Sequence, residues 1–148
     1  MSRWSSAMPN PTTLWPGSPI VAVVDDDESV REALCDLLAV MDLRCRKFDR
    51  AEGLLMEYRA GAFDCVIADV RMPGMSGLEL QQRLRVTDPR LPVIFVSADA
   101  SPVTRARAFA GGAAAYLAKP VSDDILFTHL RAVLARGRAG NVGGDADE

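Results

Sequence analysis

The chain has 148 residues, with 17 Lys+Arg against 20 Asp+Glu for a formal net charge of −3, and is 49% hydrophobic and 25% charged. That is the balance of a single soluble globular domain with a real core. Weak acidity without a Lys/Arg run argues against a surface built for nucleic acid or an anionic membrane, and no apolar stretch approaches the ~20 residues of a membrane span. The N-terminus lacks a signal-type apolar core. Cys35, Cys45 and Cys65 are too widely spaced for a thiolate metal site or a CxxC pair. They read as buried thiols of a cytoplasmic protein.

Four of the nine prolines (Pro9, Pro11, Pro16 and Pro19) fall in the first 19 residues. Residues 1–18, with Trp4 and Trp15, therefore read as an extended, mobile arm. A domain over residues 19–137 follows, then a Gly/Asp-rich tail over 138–148. Within the domain, short apolar runs alternate with helix-period segments. The predicted strands are Ile20–Val24, Arg44–Phe48, Cys65–Ala68, Val93–Val96 and Ala113–Ala118. The first helix starts at Asp27 or Glu28 and steps along Val30, Leu34, Leu38 and Met41. Asp49 and Glu52 form a capping pair for a second, closed by Gly61. Ser76 opens a third with Leu78, Leu80 and Leu84. Ser101-Pro102 opens a fourth that Gly111-Gly112 ends. Ser122 caps a fifth carrying Leu126, Leu130 and Leu134. Met41 and Met56 read as core. His129, the only histidine, reads as a surface or boundary residue.

Strands alternating with helices predict an α/β fold with a doubly wound, five-stranded parallel sheet. Five βα units allow two sheet orders; in the order 2-1-3-4-5 the winding reverses between strands 1 and 3, and the site lies beyond the strand C-termini there. Those ends hold Asp25, Asp26 and Asp27 after strand 1, Asp69 after strand 3, Ser97 after strand 4 and Lys119 after strand 5. Clustered carboxylates repel one another unless a cation joins them, and an all-oxygen set suits Mg²⁺ or Mn²⁺. Lys119 and Ser97 add an ammonium and a hydroxyl for phosphoryl oxygens. A carboxylate nucleophile in such company suits phosphoryl transfer to an aspartate. Taken alone, Asp25–Asp27 could equally be the acidic first turn of a helix, with Asp27 its N-cap.

Four segments carry a resemblance: Val23-Val24-Asp25-Asp26-Asp27, Ile67-Ala68-Asp69-Val70-Arg71-Met72-Pro73-Gly74-Met75-Ser76-Gly77, Phe95-Val96-Ser97-Ala98 and Tyr116-Leu117-Ala118-Lys119-Pro120. Together, in this order, the sequence resembles a response-regulator receiver domain of two-component signalling, a flavodoxin-like (βα)5 fold. The resemblance implies a signalling switch rather than an enzyme with turnover. Asp69 would accept a phosphoryl group from a sensor histidine kinase. Asp26, Asp69 and the Arg71 main-chain carbonyl would ligate Mg²⁺, with Asp25 acting through water. Ser97 and Lys119 would bind the phosphoryl oxygens, and Tyr116 would turn inward on activation. Arg71 and Asp99 would meet over the acyl phosphate and tune its lifetime. A homodimer would use the fourth helix, fifth strand and fifth helix.

Two alternatives stand beside this. The chain could be the receiver half of a longer regulator with a helix-turn-helix output domain, which the Arg105–Gly112 stretch loosely resembles. Asp25-Asp26-Asp27-Glu28-Ser29 also fits the D-x-D-x-S/T pattern of haloacid-dehalogenase-type phosphatases. That family needs an acidic pair at a strand end after the lysine, and here Asp123-Asp124 open a helix instead.

Overall fold

The computed structural model describes residues 17–143, with side chains to residue 136. The expected mobile arm, with Trp4 and Trp15, and the last five residues of the tail lie outside the described residues but for Gly17 and Ser18. In chain order the elements are β1 (Ile20–Val24), α1 (Glu28–Val40), β2 (Arg44–Phe48), α2 (Ala51–Glu57), β3 (Cys65–Ala68), α3 (Gly77–Thr87), β4 (Val93–Ser97), α4 (Pro102–Ala110), β5 (Ala115–Ala118) and α5 (Asp123–Gly143). The five strands form one parallel sheet in the order β2-β1-β3-β4-β5. This is the doubly wound arrangement that the sequence pattern predicts.

Alternation along each strand divides the core between two faces of the sheet. Val21 and Val23 face a cluster with Leu34, Leu38 and Met41 of the α1 region and Leu126, Leu130 and Leu134 of α5. Ala22 and Val24 face the other, with Leu54 of α2, Leu78, Leu80 and Leu84 of α3, and Ala108 of α4. Helix starts follow local chemistry. The Asp27 carboxylate accepts the Ser29 N–H and Val30 N–H. Ser76 and Glu79 make a reciprocal capping box, and Ser101 caps α4 with Pro102 in its first turn.

Several expectations need correction. Asp49 and Glu52 do not cap α2: its N-cap is Arg50, without a side-chain cap bond, and the helix ends at Glu57 rather than near Gly61. Tyr58 leaves the helix in extended backbone and sends its hydroxyl 2.8 Å to Asp88. Met56 is 86% exposed rather than core, because so short a helix buries only the narrow face that holds Ala51 and Leu54. β5 begins at Ala115, after Gly112 at φ +100. α5 runs to Gly143, past the expected boundary at residue 137. No proline follows Pro120 to break the helix. Finally, Cys35 and Cys45 are not free thiols: they form a disulfide between α1 and β2, with Cα atoms 5.7 Å apart. The packing of α1 on β2 brings together two cysteines ten residues apart. Cys65 alone is free, and burial pushes its thiol up to about 12.

Candidate functional site

Strand register assembles the site. Val24 pairs with Ala68, so the residues that follow, Asp25 and Asp69, leave adjacent strand ends together. Ser97 pairs with Ala118, which sets Lys119 at the next position. Asp25 is 2% and Asp69 7% exposed, while Asp26 points outward. One carboxylate oxygen from each of the three lies within 4.8 Å of the others. Only oxygen donors are on offer, which fits a hard divalent cation.

Lys119 binds the cluster from the far side. Its Nζ is 2.9 Å from Asp25 Oδ2 and 2.8 Å from Asp69 Oδ2. Burial raises the Asp25 carboxyl above its ordinary range, against the pull of the Asp27 N–H and of Lys119. Burial works to lower Lys119, but its hydrogen bonds to Asp69 and Asp25 outweigh this and hold the ammonium above its usual value. The result is a pocket with more negative than positive charge and one fixed internal counter-ion. Asp25 is further fixed by its Oδ1, which accepts the Asp27 N–H at 2.9 Å, and by its carbonyl, which accepts from Arg31 at 2.7 Å.

The β3–α3 loop approaches this cluster as backbone. Gly77 donates to the Val70 carbonyl at 2.8 Å. A Cβ on Gly77 would collide with the Asp69 carbonyl oxygen, so only glycine permits the approach. Gly74 takes φ +77 at the turn. Asp69 Oδ1 accepts the Arg71 N–H at 3.3 Å.

A second network surrounds Asp99, on the β4–α4 loop. Its carboxylate pairs with Arg71 (Nη2 at 2.7 Å) and accepts from Ser101 N–H and Thr104 Oγ1. These partners, the Ser101 amide foremost, hold the carboxyl below the usual range despite its burial. Its carbonyl accepts the Tyr116 hydroxyl at 2.6 Å, and its amide donates to Ser97 Oγ at 3.1 Å. Tyr116 is thus buried, 6% exposed, and burial raises its phenol. Arg105 covers it: the guanidinium lies 5.8 Å from the Tyr116 ring centroid and 5.2 Å from that of Phe109, and donates to the Tyr116 carbonyl at 3.1 Å. The structure therefore brings together Asp25, Asp26, Asp69 and Lys119, and separately Arg71, Ser97, Asp99 and Tyr116. The bond from Asp69 to the Arg71 amide links the two groups.

Sequence reasoning misses two contributors. Arg31, which donates to the Asp25 carbonyl, is not singled out there. Glu52 reads as a cap, yet its carboxylate accepts the Met75 N–H at 3.0 Å, 23 residues away. No local signal marks so distant a partner.

Comparisons with known proteins agree with this fold. A family model for the response regulator receiver domain matches residues 21–131. The chain is 35% identical over 115 residues to the response regulator protein TmoT of Ectopseudomonas mendocina, covering 78% of this chain and 52% of that protein. It is 40% identical over 118 residues to the transcriptional regulatory protein TdiR of Thauera aromatica, covering 80% and 52%. The chain spans about half the length of these relatives. Among solved structures, it is similar to the response regulator StyR (TM-score 0.79, 34% identity, 88% of this chain and 66% of that one). It is also similar to the BeF3-activated DrrB receiver domain (TM-score 0.74, 28% identity, 80% and 98%).

Proposed function

Because the chain belongs to the response regulator receiver domain family, we propose that Asp69 is its phosphoacceptor and that a sensor histidine kinase is the donor. The observation that carries this is the buried Asp69 carboxylate, 2.8 Å from Lys119 and clustered with Asp25 and Asp26. An Asp69 oxygen attacks the phosphorus of a phosphohistidine. The P–N bond breaks, an acyl phosphate P–O bond forms, and the imidazole leaves with a proton. Asp25, Asp26, Asp69 and the Arg71 carbonyl would hold Mg²⁺ (or Mn²⁺), which when bound supplies charge stabilisation at the transferring oxygens. Lys119 and Ser97 take the remaining phosphoryl oxygens.

Transfer gives Ser97 a new acceptor. As the Ser97 O–H turns to donate to it, Ser97 Oγ leaves the Asp99 N–H that it now accepts, and the β4–α4 loop so released moves against Tyr116. Support for Tyr116 as the second switch residue is its bond to the same loop. The readout face would be α4, β5 and α5, available to a partner or a second copy, with Phe109 43% exposed upon it. The Arg71–Asp99 pair would shield the acyl phosphate from water. We expect Arg71→Ala to change the dephosphorylation half-life at least about twofold, measured by mass after removal of donor; exposed ion pairs are weak, so the effect is modest.

The decisive experiment is intact mass after incubation with acetyl phosphate, with and without Mg²⁺, on wild type and Asp69→Asn. The expected result is a Mg²⁺-dependent phosphoryl adduct absent from the variant. No adduct on folded wild type would overturn the reading, and turnover of p-nitrophenyl phosphate would replace it with a phosphatase. A second reading, that the switch serves transcriptional control, is favoured by the 40% identity to the transcriptional regulatory protein TdiR.

A further inference from the structure

The loop that presents the acceptor strand end to α3 is fixed firmly at both ends. At one end Asp69 accepts the Arg71 N–H and Val70 accepts the Gly77 N–H. At the other, Ser76 and Glu79 close their capping box. Between them lie Met72 to Met75, where Pro73 has no N–H to give and Gly74 turns the chain at φ +77. The main-chain tie from this middle stretch to another element is the Met75 N–H, donated to Glu52 Oε2 at 3.0 Å.

Three observations mark this bond as more than a surface contact. First, the fit is close: a Cβ on Gly74 would stand 2.7 Å from Glu52 Oε2, so a side chain at residue 74 would push the carboxylate aside. Second, Glu52 Oε1 is buried with no hydrogen-bond partner, a cost that a side chain free to turn outward would avoid. The carboxylate therefore stays for the sake of the Met75 bond. It is held ionised there, because its own backbone amide and that of Met75 keep it below the usual range. Third, Glu52, Pro73 and Gly74 share with Asp26 the walls of a cavity of about 400 Å³. The bond thus lies at the rim of the carboxylate cluster and not on a remote surface.

We propose that Glu52 is a positioning residue for the divalent-cation site: by accepting the Met75 N–H it fixes the turn over Met72–Met75, and with it the Arg71 main chain beside Asp25, Asp26 and Asp69. This rests on the receiver reading above. A part-buried hydrogen bond at 3.0 Å, with the N–H otherwise unpaired, is enough to hold such a turn. Arg71 directly precedes the turn, with Met72, Pro73 and Gly74 between it and Met75, so a loosened Met75 frees the segment that carries the Arg71 carbonyl.

The test uses the full chain and four forms: wild type, Glu52→Ala, Glu52→Asp and Glu52→Gln. Aspartate keeps the charge but shortens the reach, whereas glutamine keeps an acceptor oxygen at full reach without the charge. Mg²⁺ affinity is read by titration calorimetry with MgCl₂, and the tie itself by hydrogen exchange at the Met75 amide in apo protein. We expect Glu52→Ala and Glu52→Asp to weaken Mg²⁺ binding about fivefold and to speed Met75 exchange about tenfold, with Glu52→Gln within about twofold of wild type on both. Faster exchange with unchanged Mg²⁺ affinity overturns the proposal. So does the reverse pattern, with aspartate behaving as wild type and glutamine as alanine, because charge alone would then be the cause. If wild type neither binds Mg²⁺ nor forms the acetyl phosphate adduct, the receiver reading itself fails. If wild type does both and all four forms agree, the inference alone fails.

Discussion

Asp25 is 2% exposed with an ammonium 2.9 Å away, and burial still raises its carboxyl above the ordinary range. A raised carboxyl means that the folded chain binds its proton more tightly than the unfolded chain does. Stability therefore falls as pH rises from 3.8 through the folded value, and at neutral pH the ionised Asp25 weighs against folding. Asp25→Asn should raise the thermal midpoint in EDTA by roughly 2–5 °C while weakening Mg²⁺ capture; a lower midpoint contradicts this account. Lys119 has the opposite sign. Its raised ammonium contributes fully below 10.5, and the contribution is lost as pH rises through the folded value. These residues were legible in the sequence because strand ends are easy to find and the fold sends them to one edge. Glu52 was not, since its partner lies on another loop and its spacing from Asp49 imitates a cap.

Among the elements, four helix starts at Asp27, Ser76, Ser101 and Ser122 could be read because their signals are local. The end of α2 could not, for it is decided by Tyr58 reaching Asp88 across 30 residues. That bond joins α2 to the far end of α3. Burial, and then the neighbouring Asp88 carboxylate, push the Tyr58 phenol up to about 12 from 10.0. An unfolded tyrosine ionises first, so its contribution is whole below pH 10.0 and is lost as pH rises towards about 12. Urea midpoints between pH 9 and pH 11.5 should consequently fall less steeply for Tyr58→Phe than for wild type. Parallel curves would show that this contact does not govern alkaline stability.

At the level of the whole molecule, the parallel doubly wound sheet followed from alternation of apolar runs and helices, which left two strand orders open, and the two-sided core from the apolar character of β1, β3 and β4. What lay beyond reach were features set by long-range packing, such as the Cys35–Cys45 disulfide and the exposed Met56. Phe95 shows how far the core and the site share one scaffold. It is fully buried on the strand that ends in Ser97, and its ring centroid is 6.0 Å from that of Tyr116. Phe95→Ala should cost about 3–5 kcal/mol in urea unfolding, a large share of a domain's stability. A loss under about 1 kcal/mol would mean that the cavity closes over.

Arg105 gives the fold one more property. β5 is an outer strand of the sheet, and such a margin offers unpaired main-chain groups to any passing extended segment. The guanidinium of Arg105 occupies the Tyr116 carbonyl and lies across two aromatic rings beside it. A foreign strand would have to evict a charged group before it could add to the sheet. Association on this side is thereby left to helix and side-chain contacts, which are self-limiting, and not to sheet growth, which is open-ended.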